Sequence, residues 1–260
     1  MNKRTSEEQF NKQAEHYNAQ WNKWSEVSLN WLLDHSQAAP EDRVLDIATG
    51  TGFTALAFAS RVKEVIGLDV SEGMLAQAVK HAAREGLANV RFENGAAEAI
   101  PFPDARFDIV TCRVAPHHFL SMPRFCAESF RVLKPGGRFL IADTTVPDGG
   151  GETDRWQNHV EALRDTSHAR NYSPSEWRSF ASAAGFIVDS VVELEEENLA
   201  GLREWMKKSG CEGESAVEVT RQFATAPAEA RRKFSIAELP DGDFQFRWMR
   251  VALAAHKPGK

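Results

Sequence analysis

The sequence predicts an α/β fold organised around a parallel sheet, and two observations carry that reading. From about Arg43 to Ala142 short apolar runs alternate with helical stretches, the pattern of successive βαβ units. Inside that region the first apolar run ends on an acidic residue and passes into a glycine loop that opens a helix. Glycine lets backbone approach a ligand closely and takes φ > 0 without a Cβ clash.

The apolar runs are VLDIA (44–48), VIGLD (65–69), VRF (90–92), FDIVTCR (107–113) and RFLIAD (138–143), each read as a strand. FTALAFASR, after the first, has the apolar content of a helix packed on a sheet. EGMLAQAVKHAAREG repeats this after the second, with Gly86 as its stop. PRFCAESFRVL is a further helix, followed by the turn KPGG (134–137). The Pro/Gly break VPDGGG after Asp143 then ends the rhythm.

The flanks differ. Residues 1–39, carrying Tyr17, Trp21, Trp24 and Trp31, are expected to form an N-terminal helical lid. Residues 40–260 form the main domain, with helical insertions at about 146–184 and 197–235. Ser173-Pro174 suits a helix cap and first turn. GFIVDSVVEL and FRWMRVALAAH read as the last two strands, with the second insertion sitting in their hairpin like a lid.

Composition bounds the function. The chain has 260 residues, is 42% hydrophobic and carries a net charge of −6, enough for a sizeable core and against a large basic face. Nucleic acid and membrane partners are therefore not expected. The polar start MNKRTSEEQF has no apolar signal region, and no apolar run is long enough to span a bilayer. Cys112, Cys126 and Cys211 show no metal spacing and read as reduced thiols, so the expected setting is cytoplasmic, with no metal site. The oligomeric state, a homodimer included, stays open.

The glycine loop holds the most specific information. Asp46 ends the first strand, Gly50 and Gly52 follow, and Asp69 ends the second strand, where a carboxylate accepts hydrogen bonds from ribose hydroxyls. The string GTGFTA also fits a nicotinamide-binding pattern. Two features argue against it: Asp46 would repel a pyrophosphate but attract an α-ammonium, and the loop is longer than a pyrophosphate turn.

With the segments VLDIATGTG, VIGLDVSEGML, GAAEAIPFPDARFDIV, APHHF and RVLKPGGRFLIAD, the chain resembles class I S-adenosylmethionine-dependent methyltransferases, within them the ubiquinone/menaquinone C-methyltransferase-like group. The resemblance spans roughly residues 40–145. It implies a Rossmann-like, seven-stranded mixed sheet of order 3-2-1-4-5-7-6 with helices on both faces, the cofactor lying across its carboxyl edge. It places Asp46, Gly50 and Gly52 around the methionine end, Asp69 on the ribose, and Val70 and Met74 on the adenine. The family commonly has an aspartate where this chain has Ala96, leaving backbone at Ala97 to read the ring.

Methyl transfer from a sulfonium is an in-line displacement, so the protein mainly positions the acceptor and excludes water. A base helps when the acceptor is a phenol, enol, amine or acidic carbon. His117 and His118, past the fourth strand, are the candidates; His118 reads equally as a structural residue holding the turn, and His117 has the better claim to face the pocket. Asp143 is a third candidate base, and Arg113 either contacts the methionine carboxylate or caps its loop. His168, Arg170 and Tyr17 are candidate substrate contacts. Tyr17, Trp21, Trp24, Trp156, Tyr172 and Trp177 suit an enclosed, largely apolar pocket for a small organic acceptor. An RNA or protein methyltransferase, or a cofactor-binding member without catalysis, are the alternatives.

Overall fold

The computed structural model describes residues 5–13, 26–195 and 198–259. The strands are β1 (Arg43–Ile47), β2 (Glu64–Asp69), β3 (Val90–Asn94), β4 (Phe107–Arg113), β5 (Leu133–Thr144) and β6 (Ile187–Glu195), then the short β7 (Ala200–Gly201), β8 (Ala237–Glu238) and β9 (Phe244–Phe246), and finally β10 (Met249–His256). Seven of them form one sheet in the order β3-β2-β1-β4-β5-β10-β6. β10 is the seventh strand of that sheet and the antiparallel one, so the expected order 3-2-1-4-5-7-6 is present.

Alternate residues of the central strands go to opposite faces. Val44, Val65, Ile109 and Leu140 pack with Leu32 of α2 (Glu26–His35) and Phe58 of α3 (Phe53–Ala59). Leu45, Ile66, Val110 and Ile141 pack with Phe125 of α5 (Met122–Val132) and Trp177 of α7 (Pro174–Ala183). Helices on both faces leave these strands no solvated side, which is why they read as continuous apolar runs. Gly67, inside β2, lets the loop after β1 pass over it: a Cβ there would lie 2.8 Å from the Thr49 side chain.

Ser71 caps α4 (Glu72–Arg84) by accepting from Met74 N, and Ser173 with Glu176 forms a capping box on α7. Residues 152–184 hold two helices, α6 (Glu152–Arg164) and α7, with a loop between them.

Three expectations change. FRWMRVALAAH is not one strand: it breaks at Arg247–Trp248, and Phe246 belongs to a separate three-stranded sheet, β7-β9-β8. The second insertion is therefore helical with small strands, holding α8 (Leu202–Ser209), α9 (Gly213–Ala224) and α10 (Ala228–Lys233). The KPGG turn lies within the span of β5 as a bulge, with Gly136 at φ 77 and the β4–β5 register shifting there. Finally, Trp156 packs with Trp205, Phe223 and Trp248 of the insertion and Trp177 lies in the main core, so both are buried core residues.

Candidate active site

β1 pairs with β2 on one side and β4 on the other, so the chain order reverses at its carboxyl end, where α/β sheets bind ligands. Just past the strand ends two non-glycine residues take left-handed backbone, Ala48 (φ 52) after β1 and Val114 (φ 53) after β4. A β-branched residue there is strained and is held by its surroundings. Val114 N donates to Ala142 O at 2.8 Å.

Two carboxylates stand at this edge. Asp46 is buried and accepts from Thr49 Oγ1 at 2.6 Å and Thr111 Oγ1 at 2.8 Å. Burial pushes its pKa up to about 6, against the two hydroxyls and the Arg113 charge that lower it. Asp69 accepts from Gly50 N at 2.8 Å on one oxygen and from Ser71 N at 2.8 Å on the other. Burial raises its pKa too, with the backbone donors opposing. The loop geometry thus ties the second strand's acid to the glycine turn. Gly52 (φ 90) serves packing: a Cβ there would sit 3.1 Å from both Ala78 Cβ and Phe92 Cζ.

A cavity of about 250 Å³ opens beside this clamp, lined by Gly50, Asp69, Val70, Met74, Ala97 and His118. Thr5, Glu7 and Phe10 from the start of the chain complete it, the last two on α1 (Ser6–Gln13). Asn11 on the same helix accepts from Ser71 Oγ at 2.8 Å and Gly73 N at 3.0 Å, tying α1 to the start of α4.

The adjacent histidines have different partners. His117 Nδ1 lies 2.6 Å from Asp143 Oδ1. Burial lowers its pKa, but the Asp143 charge and hydrogen bond outweigh it, and the net shift is upward. His118 Nδ1 lies 3.1 Å from Ser167 Oγ, whose own hydroxyl donates to Asp165 at 2.7 Å. His118 Nδ1 must therefore carry the proton. Burial, with His117 beside it, brings the His118 pKa down to about 4.

Comparison with known proteins agrees with this geometry. A methyltransferase-domain family model matches residues 44–137. The methyltransferase YcgJ of Bacillus subtilis (strain 168) is 38% identical over 233 residues, covering 89% of this chain and 90% of its own. Its crystal structure superposes with a TM-score of 0.85. The chain belongs to the class I S-adenosylmethionine-dependent methyltransferases. A Bacillus halodurans C-125 structure is similar at 33% identity, with a TM-score of 0.84 over 89% of this chain and 99% of its own. The demethylmenaquinone methyltransferase of Symbiobacterium thermophilum is 38% identical over 152 residues, 54% of this chain and 59% of that protein.

In this methyltransferase Gly50, Asp69, Val70, Met74, Ala97 and His118 share the cavity. Asp46 stands behind the wall, and Arg113 points back to donate to Thr54 Oγ1 at 2.9 Å. His117 is one layer behind His118, their ring centroids 4.2 Å apart. His168 is buried next to His117, at 5.7 Å between ring centroids. Arg170 is engaged by Asp154 at 3.2 Å and Glu176 at 3.3 Å, ion pairs that tie its loop to α6 and α7. Tyr17, Trp21 and Trp24 lie outside the described residues. Sequence reasoning missed Thr49 and Thr111 as the partners of Asp46, and Ser167 and Asp165 as those of His118. Thr49 follows Asp46 by three residues and was within reach of a turn argument; Thr111 and Ser167 arrive only through tertiary packing.

Proposed function

We propose that this methyltransferase binds S-adenosylmethionine in the cavity at the ends of β1, β2 and β4 and methylates a small organic acceptor. The observation carrying this reading is the Asp69 clamp. With each oxygen already receiving one backbone N–H, the carboxylate is fixed in orientation and keeps lone pairs for two vicinal hydroxyls. The apolar side chains of Val70 and Met74 beside it suit a flat purine. Asp46, backed by Thr49 and Thr111, supplies negative charge behind Gly50 for an α-ammonium.

The cofactor supplies an activated sulfonium methyl for in-line displacement. The chain's residues orient the acceptor and take its proton. His117, oriented by Asp143, is the base in this reading, with Nδ1 committed and Nε2 left to accept. His118, neutral at ordinary pH, lines the cavity beside His117, their ring centroids 4.2 Å apart.

A small acceptor is supported by the character of the cavity. Among the described residues that line it, the charged side chains besides Asp69 are Glu7 and Glu98 and none is a lysine or arginine, whereas a nucleic-acid track needs cations. The demethylmenaquinone methyltransferase relative fits the same reading. Incubating the full chain with methyl-labelled S-adenosylmethionine and a bacterial extract tests it. Label should enter the low-molecular-weight fraction; label entering only RNA or protein overturns the small-acceptor reading.

A further inference from the structure

The loop between α6 and α7 is built onto the histidine turn. Asp165 caps the end of α6, its N–H donating to Glu161 O at 2.8 Å. The chain then folds back over Pro116–His118, and Ala169 N and Arg170 N donate to His117 O at 2.8 and 3.1 Å. Inside this loop Ser167 gives both its N–H and its hydroxyl to Asp165 Oδ1, at 2.9 and 2.7 Å. The loop lies outside residues 44–137, the stretch matched by the family model.

These bonds fix where the protons sit. Asp165 and Ser167 are 4% and 3% exposed. The Asp165 pKa lies below its ordinary value, burial being outweighed by neighbouring charges and by the Ser167 bonds, so the carboxylate only accepts. Ser167 directs its single hydroxyl proton there and receives one from His118 Nδ1, 3.1 Å away. In a neutral histidine the bond at one ring nitrogen sets the state of the other. With the proton on Nδ1, Nε2 carries a lone pair. That nitrogen has no hydrogen-bond partner among the described residues, is not sealed from solvent, and belongs to a ring that lines the cavity. Phe10 of α1 packs perpendicular to the same ring, 5.0 Å between centroids, which restrains its rotation.

We infer that Asp165 and Ser167 are positioning residues that fix His118 as its Nδ1–H tautomer, so that Nε2 accepts a hydrogen bond from an O–H or N–H of the molecule held in the cavity. This rests on the reading of the cavity given above. Without the loop the proton would be free to sit on Nε2, and the ring would turn a donor toward the ligand's own donor, leaving both unpaired. Burial, with His117 alongside, brings the His118 pKa down to about 4, so at neutral pH it receives a hydrogen bond and leaves proton removal to His117. The O–H or N–H belongs to the cofactor or to the methyl acceptor, and the same lone pair serves either.

Long-range proton–nitrogen NMR on the full chain with isotope-labelled histidine reads the tautomer directly. His118 Nδ1 should resonate as a protonated ring nitrogen and Nε2 as an unprotonated one. Ser167→Ala should move the proton to Nε2, and Ser167→Thr, which keeps the hydroxyl, should restore the wild-type signature. A wild-type His118 protonated at Nε2, or an Nδ1–H tautomer that survives Ser167→Ala, overturns the inference and leaves the cofactor reading intact. Calorimetry with S-adenosylhomocysteine then locates the donor; failure of the wild-type chain to bind overturns the cofactor reading itself. If the cofactor supplies it, Ser167→Ala weakens S-adenosylhomocysteine about five- to fiftyfold, and binding shifts the wild-type Nε2 resonance. If the acceptor supplies it, S-adenosylhomocysteine affinity is unchanged. Label transfer from S-adenosylmethionine to the low-molecular-weight fraction of a bacterial extract then falls by about the same factor, and Ser167→Thr restores it. A Ser167→Ala chain that switches tautomer yet alters neither S-adenosylhomocysteine binding nor label transfer overturns the role assigned to Nε2.

Discussion

His117 meets Asp143 twice: its Nδ1 lies 2.6 Å from one carboxylate oxygen, and its own backbone N–H donates to the other at 2.8 Å. The carboxylate therefore fixes both the loop and the ring. Burial alone would lower the His117 pKa, yet the pair carries it above the ordinary value of 6.5. The folded state thus holds this proton more tightly than the unfolded chain. Its contribution to stability is complete below the unfolded value and is lost as pH rises through the raised folded value. NMR titration of the ring protons should place His117 above 6.5 and His118 near 4. Asp143→Asn should bring the His117 midpoint down, since burial then acts unopposed. A His117 midpoint that ignores Asp143→Asn contradicts this pairing.

Asp46 predicts a different pH response. Its folded pKa of about 6 lies above the ordinary 3.8, again because the folded state favours the proton. Its contribution is present below the unfolded value and declines as pH rises through about 6. Asp46→Asn should stabilise the cofactor-free protein at pH 7 by about 1–3 kcal/mol relative to pH 4. The same change should weaken S-adenosylmethionine, because the negative charge behind Gly50 is gone. Denaturant unfolding of both proteins across that window is the check; parallel pH profiles would exclude a strained charge at Asp46.

The two loop glycines should separate in their effects. Gly52→Ala places a Cβ 3.1 Å from Ala78 and Phe92 on backbone at φ 90, so a loss of about 2–4 kcal/mol is expected. Gly50→Ala meets no atom within 4 Å and sits at φ 54, so about 1 kcal/mol is expected. Cofactor affinity should rank the other way, because Gly50 lines the cavity and Gly52 does not. Thermal melts and calorimetry on the two variants decide it.

How much of this was legible in sequence follows from range. The strand ends, the placement of Gly50 and Asp69 at one sheet edge and the sheet order rest on local patterns and on motif resemblance, and they were readable, whereas the bond from Gly50 N to Asp69 was not. Phe246 was assigned to the last strand because apolar continuity hides a break. Only the pairing of β9 with β7 and β8 shows that the chain changes sheets there. Trp156 and Trp177 read as pocket aromatics because exposure cannot be told from composition; packing partners from the insertion and the main core claim them. His117 was favoured over His118 to face the pocket, yet it is His118 that lines it, since the 3-10 turn at Pro116–His118 sets which ring turns inward.

α1 should govern cofactor exchange. Asn11 holds this helix to Ser71 and Gly73 while Glu7 and Phe10 cover the cavity. Asn11→Ala removes both bonds, and the cofactor off-rate should rise about three- to thirtyfold in stopped-flow displacement. An unchanged off-rate would mean that α1 is held by other contacts.

The central claim is that the Asp69 clamp reads the ribose of S-adenosylmethionine, and calorimetric titration of the full chain tests it most directly. The wild-type chain should bind S-adenosylhomocysteine with one-to-one stoichiometry. Asp69→Ala should weaken binding by roughly 10–150-fold, the loss of a charged hydrogen-bonding contact. Tight binding of NADH with no response to S-adenosylhomocysteine, or an Asp69→Ala variant that binds as the wild type does, would contradict it.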